Sequence, residues 1–564
     1  MSDQTFITPL QAFYQWERLR PNEIFLSQPL QGDQWRDYTW ADVGQQARII
    51  ARALQDRGLK NGDTVGLSGA NSAYWVITDL AIMMAGGVSV PVYPSMPADK
   101  LQYIVNHSDM KILFTDAGGA SSINNLAATV GDTVTLISLG DEGTSEENTP
   151  ITPWGSLLEK VAPIDGSPLR PDDDLWTISY TSGTTGMPKG VMHSFSTMPR
   201  FAATFTQLTH QDDNAVFFSF LPLAHIAERA AIEMHALYVG ARIYFNKDLD
   251  SFAQDLLHAR PTFFFAVPRI WHKLKQGIIA SIGDETWQQV LQDPKLAHTV
   301  GKQALTALGL ERVTTAFSGS APIAKADLEA WTTLGLPLYE GYGQTEHLSG
   351  LSNRPGAVKV GSIGRLQLVE ELAQVAQCKV ADNGELLLRG QGTMLGYYKD
   401  PEKTAETIVD GWLHTGDKVR VDEDGFVFIT GRVKEIFKTA KGKYVAPAPI
   451  EDKFGSLNLL EQLCLVGRGM PQTVLLVVLT EDAATLERDY VDAQLWAALD
   501  SVNAKLEAHE RISHIIICQE PWTPDNGLLT HTLKMKRDEI EEKMLSLVEA
   551  SVKDSTTAIV WEAS

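Results

Sequence analysis

The stretch Tyr180-Thr181-Ser182-Gly183-Thr184-Thr185-Gly186-Met187-Pro188-Lys189-Gly190 decides how the rest of the chain is read. From Thr181 to Gly186 every residue is Gly, Ser or Thr, and Lys189 follows shortly after. Small residues leave backbone N–H groups uncovered, so they can turn inward around an anion. The hydroxyls add donors, and the lysine adds a mobile point charge. The apolar segment Leu175–Tyr180 reads as a short buried strand that holds the loop. Together these features predict a polyphosphate cradle. It is not the common NTPase loop, in which Gly-Lys is followed by Ser or Thr. Met187 and Pro188 separate Gly186 from Lys189, and Gly190 stands where the metal-binding hydroxyl would be. A flexible Gly/Ser linker leaves the Pro-Lys-Gly ending and the preceding strand unexplained.

Other segments carry chemistry of their own. Glu340-Gly341-Tyr342-Gly343-Gln344-Thr345-Glu346 sets two glycines, which permit close approach to a flat ligand, around an aromatic face. Thr345 can donate to a phosphate, and Glu346 is a hard oxygen ligand suited to Mg²⁺. Leu221-Pro222-Leu223-Ala224-His225 puts a histidine at the carboxyl end of an expected strand, where open α/β sheets bind ligands. Gly411-Trp412-Leu413-His414-Thr415-Gly416-Asp417 ends in a carboxylate suited to bridging vicinal hydroxyls. Ser318-Gly319-Ser320-Ala321-Pro322 is by itself a small-residue turn; it lacks the Gly-x-Ser-x-Gly pattern of a serine hydrolase. Lys438 to Pro447 is a basic loop in an acidic protein, a pattern that is usually a solvated face.

In order and spacing, these segments resemble the adenylate-forming superfamily of acyl-CoA synthetases, luciferases and carrier-protein adenylation domains, through to Arg537. The run Ala224–Arg229 is similar to long-chain fatty acyl-CoA synthetases in particular. The resemblance implies a phosphate site at Thr181, Ser182, Gly183, Thr184, Thr185, Gly186 and Lys189. It implies an adenine site along Gly319, Ser320 and Ala321 and at Glu340, Gly341, Tyr342 and Gly343, with Ile429 as its apolar wall. Thr345 falls at the α-phosphate, Glu346 with Thr184 at the metal, and His225 beside the substrate carboxylate. Asp417 falls on the ribose, and Arg432 adds a ribose or phosphate contact. Lys434 falls on a hinge. Thr439, Ala440, Lys441 and Gly442 fall on a loop forming the pantetheine passage, where the family more often has Ser-Gly-Gly. Within Thr530-His531-Thr532-Leu533-Lys534-Met535-Lys536-Arg537 the register puts Lys534 on the catalytic lysine, with Lys536 its neighbouring competitor. ATP, Mg²⁺ and CoA follow as expected ligands, and a long-chain fatty acid follows as the acid. An acyl-AMP ligase that loads a carrier protein, and a non-catalytic nucleotide-binding relative, are the alternatives.

Bulk composition is compatible with this. A chain of 564 residues is too long for a single core. With 44% apolar and 21% charged residues it is an ordinary globular composition. The net charge of −22 repels nucleic acid and anionic lipid as a whole. Three scattered cysteines suggest neither a disulfide framework nor a zinc site, which favours a reducing, cytoplasmic setting. Met1–Pro9 lacks the pattern of a secretory signal, and Tyr74–Ala85 is too short to span a bilayer. Peripheral contact with the inner face of a membrane stays open, as does the choice between monomer and homodimer.

The expected fold class is α/β. A large N-terminal domain, residues 1–433, would combine several subdomains with mixed, largely parallel sheets and a β-rich part, Gly361 to Gly431. A small, mobile α+β domain, residues 434–564, would follow. A capping box at Thr39 and Asp42 predicts a helix that buries Val43, Ala47, Ile50, Ala51 and Leu54. Strands are expected at Thr64–Ser68, Val88–Tyr93, Lys111–Thr115, Val216–Leu221, Ala241–Phe245, Phe263–Val267 and Val313–Ser318. Phe263, Phe264 and Phe265 read as buried strand rather than acyl pocket. Gly118 to Pro171 reads as surface loops. Beyond Arg432, strands are expected at Val433–Phe437, Leu463–Val466 and Thr473–Leu479, with a closing helix from Lys536.

Overall fold

The Thr39 hydroxyl accepts the Asp42 backbone N–H at 3.1 Å, and the Asp42 carboxylate accepts the Thr39 N–H at 2.9 Å. This reciprocal cap starts the helix Trp40–Asp56, and all five apolar residues expected on its inner face are buried. The computed structural model describes residues 7–116, 120–140, 150–181, 187–365, 377–433, 435–455, 457–530, 535–554 and 557–562.

Two eight-stranded sheets and one five-stranded sheet precede residue 433. The first runs from Ile151–Thr152 through Thr135–Ser138, Ile112–Thr115, Thr64–Ser68 and Val88–Val92 to Leu175–Thr181, all parallel. Lys189–Ser194 and then Gly396–Tyr397 add antiparallel strands at its edge. The second is parallel from Ile24–Pro29 through Arg242–Phe245, Val216–Ser219, Phe263–Ala266 and Thr315–Ser318 to Leu338–Gln344. Trp35–Thr39 and His347–Ser352 close its two edges antiparallel. The β-rich sheet joins Gln377–Val380, Glu385–Arg389, Trp412–Val421, Ile408–Val409 and Val427–Arg432. Gly384 and Gly425, both at positive φ, make the turns expected from Asp-Asn-Gly and Asp-Gly.

The main core lies between the two large sheets, around the helix Ala73–Ala85 and the helical run from Ile226 to Val239. The helix Ala73–Ala85 is apolar on every side and buried almost throughout. Phe263, Phe264 and Phe265 are buried strand residues, as expected. After residue 435 a four-stranded sheet joins Leu460–Val466, Thr473–Leu479, Ile512–Cys518 and Ile559–Trp561. The helix Arg488–Asn503 packs into one of its apolar clusters, and Arg537–Asp554 packs into the other. Every apolar core cluster is drawn wholly from one side of residues 430–436.

Two expectations are corrected, and two elements were missed. Among its described residues, Gly118–Pro171 is not a set of loops; residues 141–149, in its most polar stretch, lie outside the described residues. It carries the helix Ala120–Val130, two strands of the first sheet and the helix Trp154–Lys160. Burial of Val134, Leu136, Ile137, Ile151, Trp154 and Leu157 drives this, although polar clusters hide the pattern in the sequence. Val433–Phe437 forms no such strand among its described residues; only Phe437–Lys438 pairs, with Tyr444–Val445. The strand Ile512–Cys518 and the helix Arg488–Asn503 were not anticipated, because their periods are interrupted by polar residues.

The core contains a charged cluster. Arg229 is fully buried, donating to Asp79 at 2.7 Å, to Thr177 Oγ1 at 2.8 Å and to Glu233 at 3.3 Å. Its guanidinium lies 4.2 Å from the Trp176 ring centroid. Burial, with the Asp79 charge behind it, raises the Glu233 pKa. Arg229→Ala strands Asp79 without a counter-charge and is expected to cost about 3–5 kcal/mol, with no rescue by Lys. Urea unfolding followed through the buried tryptophans checks this. An unchanged midpoint would remove the cluster from the account of stability.

Candidate active site

The strand expected ahead of the Gly/Ser/Thr loop is present, and a second strand, not anticipated from the sequence, follows it. Leu175–Thr181 pairs antiparallel with Lys189–Ser194, with Tyr180 opposite Gly190 and Thr181 opposite Lys189. Pairing up to this register fixes both ends of the intervening loop. Ser182, Gly183, Thr184, Thr185 and Gly186 lie outside the described residues. Thr181 remains in the strand, its hydroxyl 3.5 Å from the Lys189 carbonyl. The Lys189 ammonium sits 5.4 Å from the centroid of the Tyr397 ring.

The strand Leu338–Gln344 brings the second group alongside. Ser318 pairs with Glu340, so Gly319, Ser320 and Ala321 leave the sheet next to Gly341. A Cβ on Gly319 would meet the Phe265 ring at 3.3 Å and the Gly341 carbonyl at 3.4 Å, a fit so close that the ring would have to give by a few tenths of an ångström. Ser320 holds φ +68°, an uncommon conformation for a residue other than glycine. Glu340, where this strand's pairing with Thr315–Ser318 ends, is buried. Burial pushes its carboxyl up to about 8.

Tyr342 and Asp417 meet where ribose recognition was expected. The Tyr342 hydroxyl donates to Asp417 Oδ2 at 2.6 Å, Gln344 Nε2 donates to the same oxygen at 2.7 Å, and Arg432 Nε lies 3.0 Å from Oδ1. Asp417 is therefore buried inside a ring of donors, while Arg432 remains half exposed. Burial and the Asp417 charge raise the Tyr342 pKa, so its phenol stays a donor. Ile429 and Tyr342 are each partly buried against the apolar core of the β-rich sheet. Gly343 is exposed between Tyr342 and Gln344.

The turn at Thr345 and Glu346 is held from the Lys189 strand. His193 Nε2 lies 2.6 Å from the Thr345 carbonyl, which can only accept, so the tautomer carries its proton there. Burial pushes His193 down to about 4 and keeps it neutral. The Tyr397 hydroxyl donates to Glu346 Oε1 at 2.9 Å. Lys189, Thr345, Glu346, Tyr342 and Asp417 thus form one connected group.

The donor set permits a test for Mg²⁺. Among the described residues, no three His, Cys, Asp or Glu side chains converge as an all-protein metal cage would require. A single partly exposed carboxylate, Glu346, next to a polyphosphate loop fits the way Mg²⁺ is bound through one or two carboxylates plus substrate phosphates.

Other expected residues lie elsewhere or outside the described set. Lys434 and Lys534 are outside the described residues. Lys536 is described: its backbone N–H donates to Leu528, and its ammonium is close enough to Lys100 for repulsion to help burial lower its pKa. Thr439 is buried, whereas Ala440, Lys441 and Gly442 are exposed on the hairpin tip, with Gly442 at φ +77°. Gln344, His193 and Tyr397 were missed. Each acts through a contact distant in sequence, and only the closeness of His193 to Lys189 along one strand offered a signal.

Comparison with known proteins gives the family to which this α/β scaffold belongs. The chain belongs to the AMP-binding enzyme family: residues 13–398 match that family, and residues 434–555 match its C-terminal domain. It is 30% identical to the Mycobacterium bovis protein "Long-chain-fatty-acid--CoA ligase FadD15", over 95% of this chain and 96% of that protein. It is 29% identical to "Fatty acyl-CoA synthetase A" of Dictyostelium discoideum, over 91% of this chain and 86% of that one. The fold matches the A-PCP didomain of a Segniliparus rugosus carboxylic acid reductase in complex with AMP. That match has a TM-score of 0.82 and 22% identity, and covers 98% of this chain and 83% of that one. It also matches the anthranilate CoA ligase AuaEII, with a TM-score of 0.78 and 21% identity, over 96% of this chain and 98% of that one. Among the described residues, no helix is long and apolar enough to cross a membrane.

His225 does not end a strand. The strand stops at Ser219, and His225 caps a short helix by accepting the Ala227 N–H on Nδ1 at 3.0 Å. The helix is held by Glu228, whose Oε1 accepts from Ser219 Oγ at 2.8 Å and from the Phe220 N–H at 3.1 Å. Burial pushes the Glu228 carboxyl up to about 8, against about 4.3 for an unfolded Glu. Between these values the unfolded chain has released a proton that the folded chain keeps. The stability contributed by the neutral carboxyl is therefore full below the unfolded value and is lost as pH rises through the folded one. Glu228→Gln keeps the accepting oxygen and cannot ionise. Wild type is expected to lose stability relative to this variant from about pH 5 to about pH 8. Parallel stability–pH curves would contradict the shift.

Proposed function

We propose that this protein activates a long-chain fatty acid with ATP and Mg²⁺ to an acyl-adenylate and passes the acyl group to CoA, releasing AMP and pyrophosphate. The observation that carries the reading is the meeting of Lys189 and Glu346, from distant parts of the chain, on the two ends of Tyr397. A cation for phosphate oxygens and a hard ligand for a metal are thereby held beside one loop. The names of the full-length relatives support the fatty acid and the CoA.

A carboxylate is a weak electrophile, and it must approach an anionic triphosphate before it can attack. The Gly/Ser/Thr loop and Lys189 would hold the β- and γ-phosphates. Glu346, with Thr184, would hold Mg²⁺, which supplies further neutralisation of phosphate charge. Gly319 to Ala321, Gly341, Tyr342 and Ile429 would border the adenine, and Asp417 with Arg432 the ribose. Thr345 would donate to the α-phosphate, and His225 would border the incoming carboxylate. Lys534 would bridge that carboxylate and the α-phosphate, where negative charge grows as the acyl oxygen displaces pyrophosphate in line.

For the second step a thiol needs access to the acyl carbonyl. Residues 434–564 are read as a unit that turns about Lys434 and brings Thr439–Gly442 to the pantetheine passage. The separation of apolar clusters on either side of residues 430–436 supports this division.

A panel of carboxylic acids with ATP, Mg²⁺ and CoA, read by AMP release and by the mass of the thioester, should give its best turnover with long-chain acids. Adenylate without thioester would redirect the reading to a carrier-protein acceptor, and no pyrophosphate exchange with any acid would end it. Lys534→Ala should lower ATP–pyrophosphate exchange roughly 100-fold or more while leaving thioester formation from supplied acyl-adenylate largely intact. Equal losses in both assays would remove Lys534 from the first step.

A further inference from the structure

Tyr397 belongs to none of the segments that the sequence singled out. It sits on the two-residue strand Gly396–Tyr397, which pairs with the Lys189 strand through Gly396 opposite Met192 and Tyr397 opposite Val191. The Tyr397 N–H donates to Thr404 Oγ1 at 2.8 Å, and that hydroxyl donates in turn to the Asp400 carbonyl at 2.8 Å. Gly396 holds φ +147°, and a Cβ there would lie 2.8 Å from Thr404 Cγ2, so the residue before the tyrosine admits no side chain. The Met394 N–H donates to the Glu346 carbonyl at 2.8 Å. The segment is thus fixed to the Lys189 strand, to the helix Pro401–Thr407 and to the turn that bears Glu346.

The tyrosine itself is buried at 6% exposure, with the Lys189 ammonium over its ring at 5.4 Å and its hydroxyl on Glu346 Oε1 at 2.9 Å. We propose that Tyr397 is a positioning residue for adenylation, its hydroxyl aiming the Glu346 carboxylate at the metal while its ring sets the height of Lys189. The proposal rests on the reading of Glu346 as the metal ligand. Mg²⁺ accepts little departure from octahedral geometry, so a carboxylate that swings freely is a poor ligand. Hydrogen bonding of one oxygen fixes the rotation of the group and leaves the other oxygen for the ion. The ring contact adds a second constraint of the cation–π kind. One side chain therefore sets the spacing between the cation that meets the phosphates and the ligand that meets the metal.

Tyr397→Phe removes the hydroxyl and keeps the ring; Tyr397→Leu removes both. Binding of Mn²⁺ to each protein with ATP present and no acid, followed by electron paramagnetic resonance, reads metal affinity without turnover. Tyr397→Phe should weaken Mn²⁺ roughly 10-fold and raise the Mg²⁺ needed for pyrophosphate exchange, with ATP binding at saturating Mg²⁺ little changed. Tyr397→Leu should weaken ATP as well. Glu346→Gln should weaken Mn²⁺ at least as much, and adding Tyr397→Phe to it should change nothing further. A Tyr397→Phe protein with wild-type thermal midpoint and wild-type Mn²⁺ affinity, beside a Glu346→Gln protein that has lost it, overturns the role of Tyr397 alone. Wild-type Mn²⁺ affinity in Glu346→Gln overturns the ligand assignment, and the positioning role falls with it. Additive losses in the double variant place Tyr397 outside the Glu346 contact and likewise overturn the proposal. If Tyr397→Phe lowers the thermal midpoint, Glu346→Asp decides instead: its shorter side chain withdraws from the phenol and should reproduce the raised Mg²⁺ requirement. Unchanged Mg²⁺ dependence in that variant counts against the role.

Discussion

The antiparallel register that sets Thr181 opposite Lys189 is the constraint on which the rest of the arrangement depends. A glycine- and hydroxyl-rich loop loses much conformational entropy when ordered, and nothing in its composition selects one shape. Strand pairing up to its two ends shortens the free segment and sets the spacing between its anchors. The same strand then carries His193 inward to the Thr345 carbonyl and accepts Gly396–Tyr397 on its outer edge. One strand of the first sheet, next to its edge, therefore organises the end of the second sheet. The two large sheets are joined by a shared apolar core, and at the site they are also tied by these polar links.

Charge is distributed accordingly. The chain carries a net −22, yet cations are placed where each has a defined neighbour. Arg229 is neutralised within the core by Asp79, Arg432 pairs with Asp417, and Lys189 rests over an aromatic ring. Buried carboxyls that lack a full counter-charge, such as Glu228 and Glu340, meet the cost of burial by staying protonated to higher pH. A net acidic field of this kind repels anions at long range, so the proposed attraction of phosphate would have to come from a few aligned local donors.

Much of this was legible in the sequence, because local rules decide it. The capping box at Thr39 and the strand Thr64–Ser68 each follow from residues within one turn or strand. The candidate site was legible in part, since small-residue loops and isolated carboxylates leave a pattern. What escaped depended on distant partners. The Gly118–Pro171 strands pair only because a sheet edge is available to them. Tyr397 reads as one aromatic residue among many until the Lys189 strand lies beside it. His225 looked like a strand end and proved to be a cap, because the chain leaves the sheet at Ser219 and a short helix intervenes. Arg229 has Glu233 four residues on as a partner legible in sequence, but its closer carboxylate, Asp79, lies on another helix.

The C-terminal unit follows a different logic from the sheets before it. Its two apolar clusters come entirely from residues beyond 436, and Arg537 braces it internally with a 2.6 Å ion pair to Glu451. Toward the preceding part, its described contacts include polar pairs such as Arg269 with Glu461 and Gln276 Nε2 with Asn458 Oδ1 at 2.8 Å. Lys536 faces Lys100 with the same sign of charge. Polar contacts of this kind exchange readily with water and hold little net free energy, while the unit's own core is undisturbed when they break. A small body that keeps its apolar residues to itself and spends polar ones on its neighbour can change orientation without unfolding. That division of labour is what the proposed turn about Lys434 would require.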